Sequence, residues 1–225
     1  GEEGAILEFG GKNDIISIKA DNCTLEGFII RNCTNDSFSG INVESHANRI
    51  KSNIICNNSG WGLYMYNSNS NIIINNNFIN DGICIVGNRN DWESYKIENN
   101  TVNNKPLIYY KNLKNIEIIG IEAGQIILAN CSFCNVTKNE INGGDQGLVL
   151  GYSNYNTIDN NKVSNTKFGV HLHYSNNNSI IMNNFTQNEY GIYVIHSFYN
   201  QIFSNNVTSR ISYGCWLCCN SKFNE

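Results

Sequence analysis

The feature that most constrains this chain is a repeat. In the C-terminal half Ile158, Ile180 and Ile202 stand 22 residues apart. Each lies two positions after an asparagine (Asn156, Asn178, Asn200) and three before another (Asn161, Asn183, Asn205). Five residues before each isoleucine is a serine: Ser153, Ser175 and Ser197. Later in each repeat a glycine opens an alternating apolar run, as in Gly169-Val170-His171-Leu172 and Gly191-Ile192-Tyr193-Val194. The same frame fits Ser45, Asn48, Ile50, Asn53 and Ile55, and again Ser68, Asn71, Ile73, Asn76 and Phe78. Runs of period two punctuated by Gly and Asn are strands separated by tight turns and leave no room for helices. A unit this short cannot bury its apolar face alone, so the units stack, each strand pairing in parallel above its counterpart. The expected fold is all-β: a right-handed, single-stranded parallel β-helix with coils of about 22 residues.

Composition agrees with that architecture. The chain carries 44 asparagines, 32 isoleucines and one proline in 225 residues. Asparagine disfavours helix interiors, tolerates left-handed turns and forms side-chain ladders between stacked strands. Nearly all of these Asn and Ile residues are therefore expected to build the coil. The expected organisation is one β-helix domain over 1–225, with an irregular coil near 103–135, where Pro106-Leu107-Ile108-Tyr109-Tyr110 interrupts the period. Gly1 and Asn224-Glu225 both fall inside a coil, as in a fragment of a longer exported protein.

Charge and hydropathy remove some partners. Charged residues make up 15% of the chain and the net charge is −4, which gives no footprint for nucleic acid. No apolar run is long enough for a transmembrane helix, and Gly1-Glu2-Glu3-Gly4 does not open a signal peptide. Nine cysteines leave disulfides, intermolecular bonds and reduced thiols all open.

The repeats resemble those of the NosD-like parallel β-helix proteins, whose coils belong to the carbohydrate-binding and sugar-hydrolase (CASH) group. The resemblance is carried by Gly4-Ala5-Ile6-Leu7, by Asp21-Asn22-Cys23-Thr24-Leu25-Glu26-Gly27-Phe28, by the segment from Pro106 to Asn130, and by the N-x-I-x-x-N coils. The Ile/Asn/Lys-rich, Pro-poor style is similar to archaeal surface proteins. The resemblance implies the scaffold and a copper association, and it implies no particular reaction, since such coils serve lyases, epimerases, hydrolases, adhesins and structural proteins alike.

Function must then come from side chains that leave the core. The position two after the glycine gives the column Asn42, Tyr64, Cys84, Val149, His171, Tyr193, Trp216. Its rings, Tyr64, His171, Tyr193 and Trp216, are the candidate carbohydrate-binding residues, because rings on successive coils ~4.8 Å apart approach the repeat of an extended sugar chain. The competing reading is that they pack on one another as strand neighbours. His173 and Cys218 share the column four after the glycine; Tyr174, His196 and Cys219 share the next. Imidazole and thiolate ligands make His173, His196, Cys218 and Cys219 candidate ligands of Cu or Zn. Against this, thiols also serve as small core residues, and Cys23 and Cys134 stand at asparagine-ladder positions. Asp145, Asp159, Glu140 and Glu189 form no converging pair of the kind hydrolysis needs, so the reading leans away from catalysis. Ten N-x-S/T sequons, among them Asn22, Asn32, Asn130, Asn184 and Asn206, fit a glycosylated exported protein. The leading expectation is a non-catalytic extracellular or cell-surface β-helix that binds polysaccharide or joins neighbouring subunits in a surface layer. The alternatives are a self-associating sheath or filament, a polysaccharide lyase, epimerase or hydrolase, and a copper-handling protein.

Overall fold

A computed structural model describes residues 4–219 and 221–223, so expectations attached to Gly1, Glu2, Glu3, Asn224 and Glu225 lie outside the described residues. The chain is a parallel β-helix that divides into two compact units, Gly1–Leu107 and Ile108–Glu225.

In the first unit each coil contributes to three parallel sheets. Ala5–Glu8 pairs with Phe28–Arg31, which pairs with Ile54–Cys56 and then Asn77–Ile79. A second sheet stacks Ile16–Ile18, Ile41–Val43, Leu63–Tyr66 and Ile83–Val86, and a third stacks Thr24–Glu26, Arg49–Lys51, Ile72–Ile74 and Lys96–Glu98. In the second unit Ile158 pairs with Ile180 and Ile180 with Ile202, as the 22-residue period requires. A neighbouring sheet stacks Val163 on Phe185 on Val207, and a third runs through Gln125–Ala129, Gln146–Gly151, Phe168–His173, Tyr190–Ile195 and Cys215–Cys218. The inward members, Leu148, Val170, Ile192, Ile158, Ile180 and Phe185 among them, form a continuous buried core. Full burial of one such side chain contributes about 2 kcal/mol.

Two sets of asparagines hold the coil together, and the sequence does not distinguish them. Those of the ladders are buried. Asn156 donates its backbone N–H and its Nδ2 to Asn178 Oδ1 (2.8 and 3.0 Å), and Asn178 does the same to Asn200 Oδ1 (2.8 and 3.1 Å). Asn178 Nδ2 also reaches back to the Ser153 carbonyl at 2.9 Å. Such a side chain satisfies backbone groups that a bend in the coil removes from the sheet, which matters because an unpaired buried amide costs about 1–3 kcal/mol. Cys23 and Cys134 do stand on these ladders, their amides donating to Asn48 Oδ1 (2.8 Å) and Asn156 Oδ1 (3.0 Å). A second set sits at the corners with positive φ, for example Asn57 (58°), Asn75 (56°) and Asn160 (53°), where a short amide side chain tolerates the left-handed region.

The expected absence of helices fails at one place. Arg89–Ser94 is a helix within the first unit. Asn88 caps it by accepting from Asp91 N, while Asp91 Oδ2 accepts from Asn88 N at 2.8 Å, a reciprocal capping box. Trp92 and Tyr95 are fully buried. Tertiary burial and capping thus hold a six-residue helix that propensity alone would not nucleate. After Asn100 the chain turns back, Lys105 and Pro106 pairing antiparallel with Val102 and Thr101.

Candidate functional site

In the second unit the repeating glycine leaves no room for a side chain between adjacent coils. A Cβ on Gly169 would lie 2.5 Å from the Gly191 carbonyl oxygen, and one on Gly191 would lie 2.7 Å from that of Gly214. This close approach sets the register of the side chains around it. Val149, His171, Tyr193 and Trp216 are paired coil by coil, as the sequence column requires. Tyr64 pairs with Asn42 and Cys84 in a sheet of the first unit and stacks on Tyr66 at 6.1 Å. Burial pushes its hydroxyl pKa up. The structure therefore brings together three of the four expected rings, and Tyr64 belongs to a different sheet.

A second column joins them that sequence reasoning passed over: the residue just before each glycine, Phe168, Tyr190 and Tyr213. Phe168 stacks on Tyr193 (4.6 Å) and Tyr190 (5.0 Å), and Tyr190 stacks on Trp216 (5.2 Å). Tyr193 and Tyr213 tilt against Trp216 at 5.2 and 5.8 Å. The signal was available, since Phe168-Gly169, Tyr190-Gly191 and Tyr213-Gly214 repeat the same aromatic-Gly pair.

The cluster grades from dry to wet. Tyr213 is 61% exposed and Trp216 37%, whereas Tyr190 and Tyr193 are half-buried. His171, expected on the open face, is only 5% exposed because Phe168 and Tyr193 pack over it, 5.7 and 4.9 Å away. Its Nδ1 lies 3.3 Å from Gln146 Oε1. An amide oxygen only accepts, so the proton is assigned to Nδ1. Nε2 is buried without a hydrogen-bond partner among the described residues. Burial, reinforced by the neighbouring His173, lowers the imidazole pKa to about 3. His171 is therefore a neutral ring with a bare nitrogen.

Of the four candidate metal ligands, Cys218 and Cys219 are neighbours whose thiols interact, and His173 stands apart from Cys218. Ile195 separates His173 from Cys218, which places the two ligands two coils apart. The Cys218 thiol sits 3.7 Å from the Tyr193 hydroxyl, and burial raises its pKa. His196 stacks on Tyr174 at 4.6 Å, and Cys219 follows at the same corner with φ 53°. Among the described residues, no three or more His, Cys, Asp or Glu side chains gather to hold a metal. Cys131 and Cys134 are buried in the core, and burial pushes the Cys131 thiol up to about 11.

The carboxylates are dispersed: Asp145 is buried, and Asp159 accepts twice from Asn160 Nδ2 at 2.9 Å. Of the sequon asparagines, Asn22 and Asn32 lie on exposed left-handed corners. The amide nitrogens of Asn130 and Asn206 donate to Asn112 (2.7 Å) and Asn184 (2.8 Å).

Residues 90–225 match the family described as periplasmic copper-binding protein (NosD). The chain belongs to the NosD family. Among solved structures, the A-module of the Azotobacter vinelandii mannuronan C-5 epimerase AlgE6 aligns with 93% of this NosD-family chain at 11% identity and a TM-score of 0.33, and the chain spans 60% of that module. No curated protein matches the NosD-family chain in sequence. Among its described residues no helix is long and apolar enough to cross a membrane.

Proposed function

We propose that this chain is a non-catalytic β-helix scaffold of the periplasm or cell surface that binds polysaccharide on the aromatic face of its second unit. The observation that carries the reading is the ring cluster itself. Tyr213 and Trp216 remain open to water and lean on the half-buried Tyr190 and Tyr193, which pack in turn on the buried Phe168 and His171. Large rings held rigidly at a half-wet surface are the side chains that bind the apolar faces of sugars with little loss of rotamer freedom. Neighbouring copies of the same scaffold in a surface layer would present such faces repeatedly. The test is retention on immobilised polysaccharides by the whole chain and by Trp216→Ala and Tyr193→Ala. The reading expects each variant to elute earlier; unchanged retention by both removes it.

A second reading follows from one further observation. The bare Nε2 of His171 lies in a ring 6.1 Å from that of His173, and a neutral imidazole whose other nitrogen is fixed by an amide oxygen is arranged as a metal ligand is. The matched family carries copper-binding in its description. Copper handling by this pair predicts stoichiometric copper in the purified protein, lost in His171→Gln. A metal-free preparation that also takes up no Cu(I) from solution argues against it.

A further inference from the structure

The left-handed corners offer an internal comparison. In the first unit every described non-glycine residue with positive φ is asparagine, serine or alanine. In the second unit the same backbone conformation is occupied by Phe133, Tyr152, Tyr155, Tyr174, His196 and Tyr199, with φ between 48° and 60°. Bulky side chains disfavour this region, and the fold does not require them, since Asn112, Asn115, Asn130 and Asn177 serve at other coils of the same two corners. The six rings thus occupy unfavourable backbone positions that asparagine fills at other coils of the same corners.

They form two ridges three residues apart. One is Tyr152, Tyr174 and His196, stacked at 5.2 and 4.6 Å. The other begins with Phe133 and Tyr155, parallel to within 6° at 5.2 Å, skips a coil at Asn177, and resumes at Tyr199. Tyr155 is 52% exposed and Tyr199 54%. Phe133 covers one face of Tyr155, so its other face is turned toward the coil of the exposed Asn177. Tyr155 and Tyr199 are two coils apart, ~9.6 Å by strand spacing. A saturated six-membered ring in contact with an aromatic face on each side needs about 8 Å.

The polar lining suits the same occupant. Between the ridges, Asn154 Oδ1 accepts from Asn176 N (2.6 Å) and Asn176 Oδ1 accepts from Phe198 N (2.7 Å), which leaves each Nδ2 to donate elsewhere. No Asp, Glu, Lys or Arg occurs in 130–134, 152–156, 174–178 or 196–200. We infer that the gap at Asn177, between Tyr155 and Tyr199, is a binding site for a pyranose unit of a neutral glycan, separate from the column of Tyr193 and Trp216. Aromatic faces hold the sugar ring, amide groups bond its hydroxyls, and these four segments offer an acidic glycan no lysine or arginine partner.

Titration calorimetry of the whole chain with cellohexaose, xylohexaose, mannohexaose, laminarihexaose and a hexagalacturonate tests this, using Tyr155→Asn, Tyr199→Asn and, as a surface control, Phe203→Asn. Asparagine is native to these corners, so the variants keep the fold, which thermal melting checks. The expected result is that at least one neutral hexaose binds and the uronate does not. Tyr155→Asn and Tyr199→Asn each weaken that binding by about threefold to tenfold, and Phe203→Asn leaves it unchanged. Absence of neutral-hexaose binding, equal binding of the uronate, or full affinity in both Tyr variants overturns the site. Loss in Trp216→Ala with both Tyr variants at full affinity overturns it too while supporting the sheet face, so the two proposals fail separately.

Discussion

In the first unit successive ladder partners are 25, 23 or 24 residues apart, whereas from Cys131 to Asn200 in the second they are 22 apart. The two units are built from the same parts, yet only the second stacks rings on its corners. A constant coil length explains how this is possible. With no drift in register, equivalent side chains superpose closely enough for Tyr152 and Tyr174 to lie within 4° of parallel. The first unit shows that coils close equally well with small polar corners, so the ring-bearing corners are an addition to the fold rather than a requirement of it.

Removal of ladder amides tests the comparison with the largest effect. Asn178→Ala deprives Asn156 N and Nδ2 of their acceptor and the Ser153 carbonyl of a donor, and is expected to cost about 3 kcal/mol in urea unfolding. Asn71→Ala in the first unit removes the acceptor of Asn48 N and the donor to the Ser45 carbonyl, and is expected to cost about 2 kcal/mol. Equal losses would mean that the strict period adds nothing to the ladder. Gly169→Ala pushes a methyl against the Gly191 carbonyl oxygen, with an expected loss of about 2 kcal/mol seen as a lower Tm.

The buried imidazole gives the second unit a pH dependence of its own. His171 has its pKa lowered to about 3 in the fold and is near 6.5 when unfolded. Between those values the unfolded chain binds a proton that the native chain does not, so stability falls as pH drops below about 6.5 and is unaffected above it. At pH 5 this amounts to about 2 kcal/mol. Melts of the wild type and His171→Gln at pH 7 and pH 5 should therefore differ in slope, the variant losing less; identical slopes would place a proton on the native ring. The smallest expected effect is Asn75→Tyr in the first unit, a bulky residue at φ 56°, which should cost about 1 kcal/mol. No measurable loss would mean that corner tyrosines are neutral, and would weaken the inference drawn from them.

The stacking was legible because Ile158, Ile180 and Ile202 repeat without drift, and a period of that kind admits one class of solution. The Trp216 and Tyr193 column followed from the same alignment. The Arg89–Ser94 helix was not legible, since its formation depends on a reciprocal cap and on burial of Trp92, neither of which has a periodic signature. The closing of Phe168 over His171 was also hidden, because alternation places a side chain on a face without saying what lies over it. Corner tyrosines escaped for a related reason: alignment fixes which residues are equivalent, while the sign of φ depends on where the coil bends.

The helix has a practical corollary. It adds residues between Val86 and Lys96, yet the ladders on either side continue, Asn53 bonding to Asn76 and Asn76 to Asn100 at 2.9–3.0 Å. The coil thus carries a helical excursion at this place and still closes at 24 residues, within the 23 to 25 of its neighbours. A peptide epitope or a reporter tag grafted between Gly87 and Tyr95, with Asn88 and Trp92 kept as anchors, would be displayed on a rigid frame.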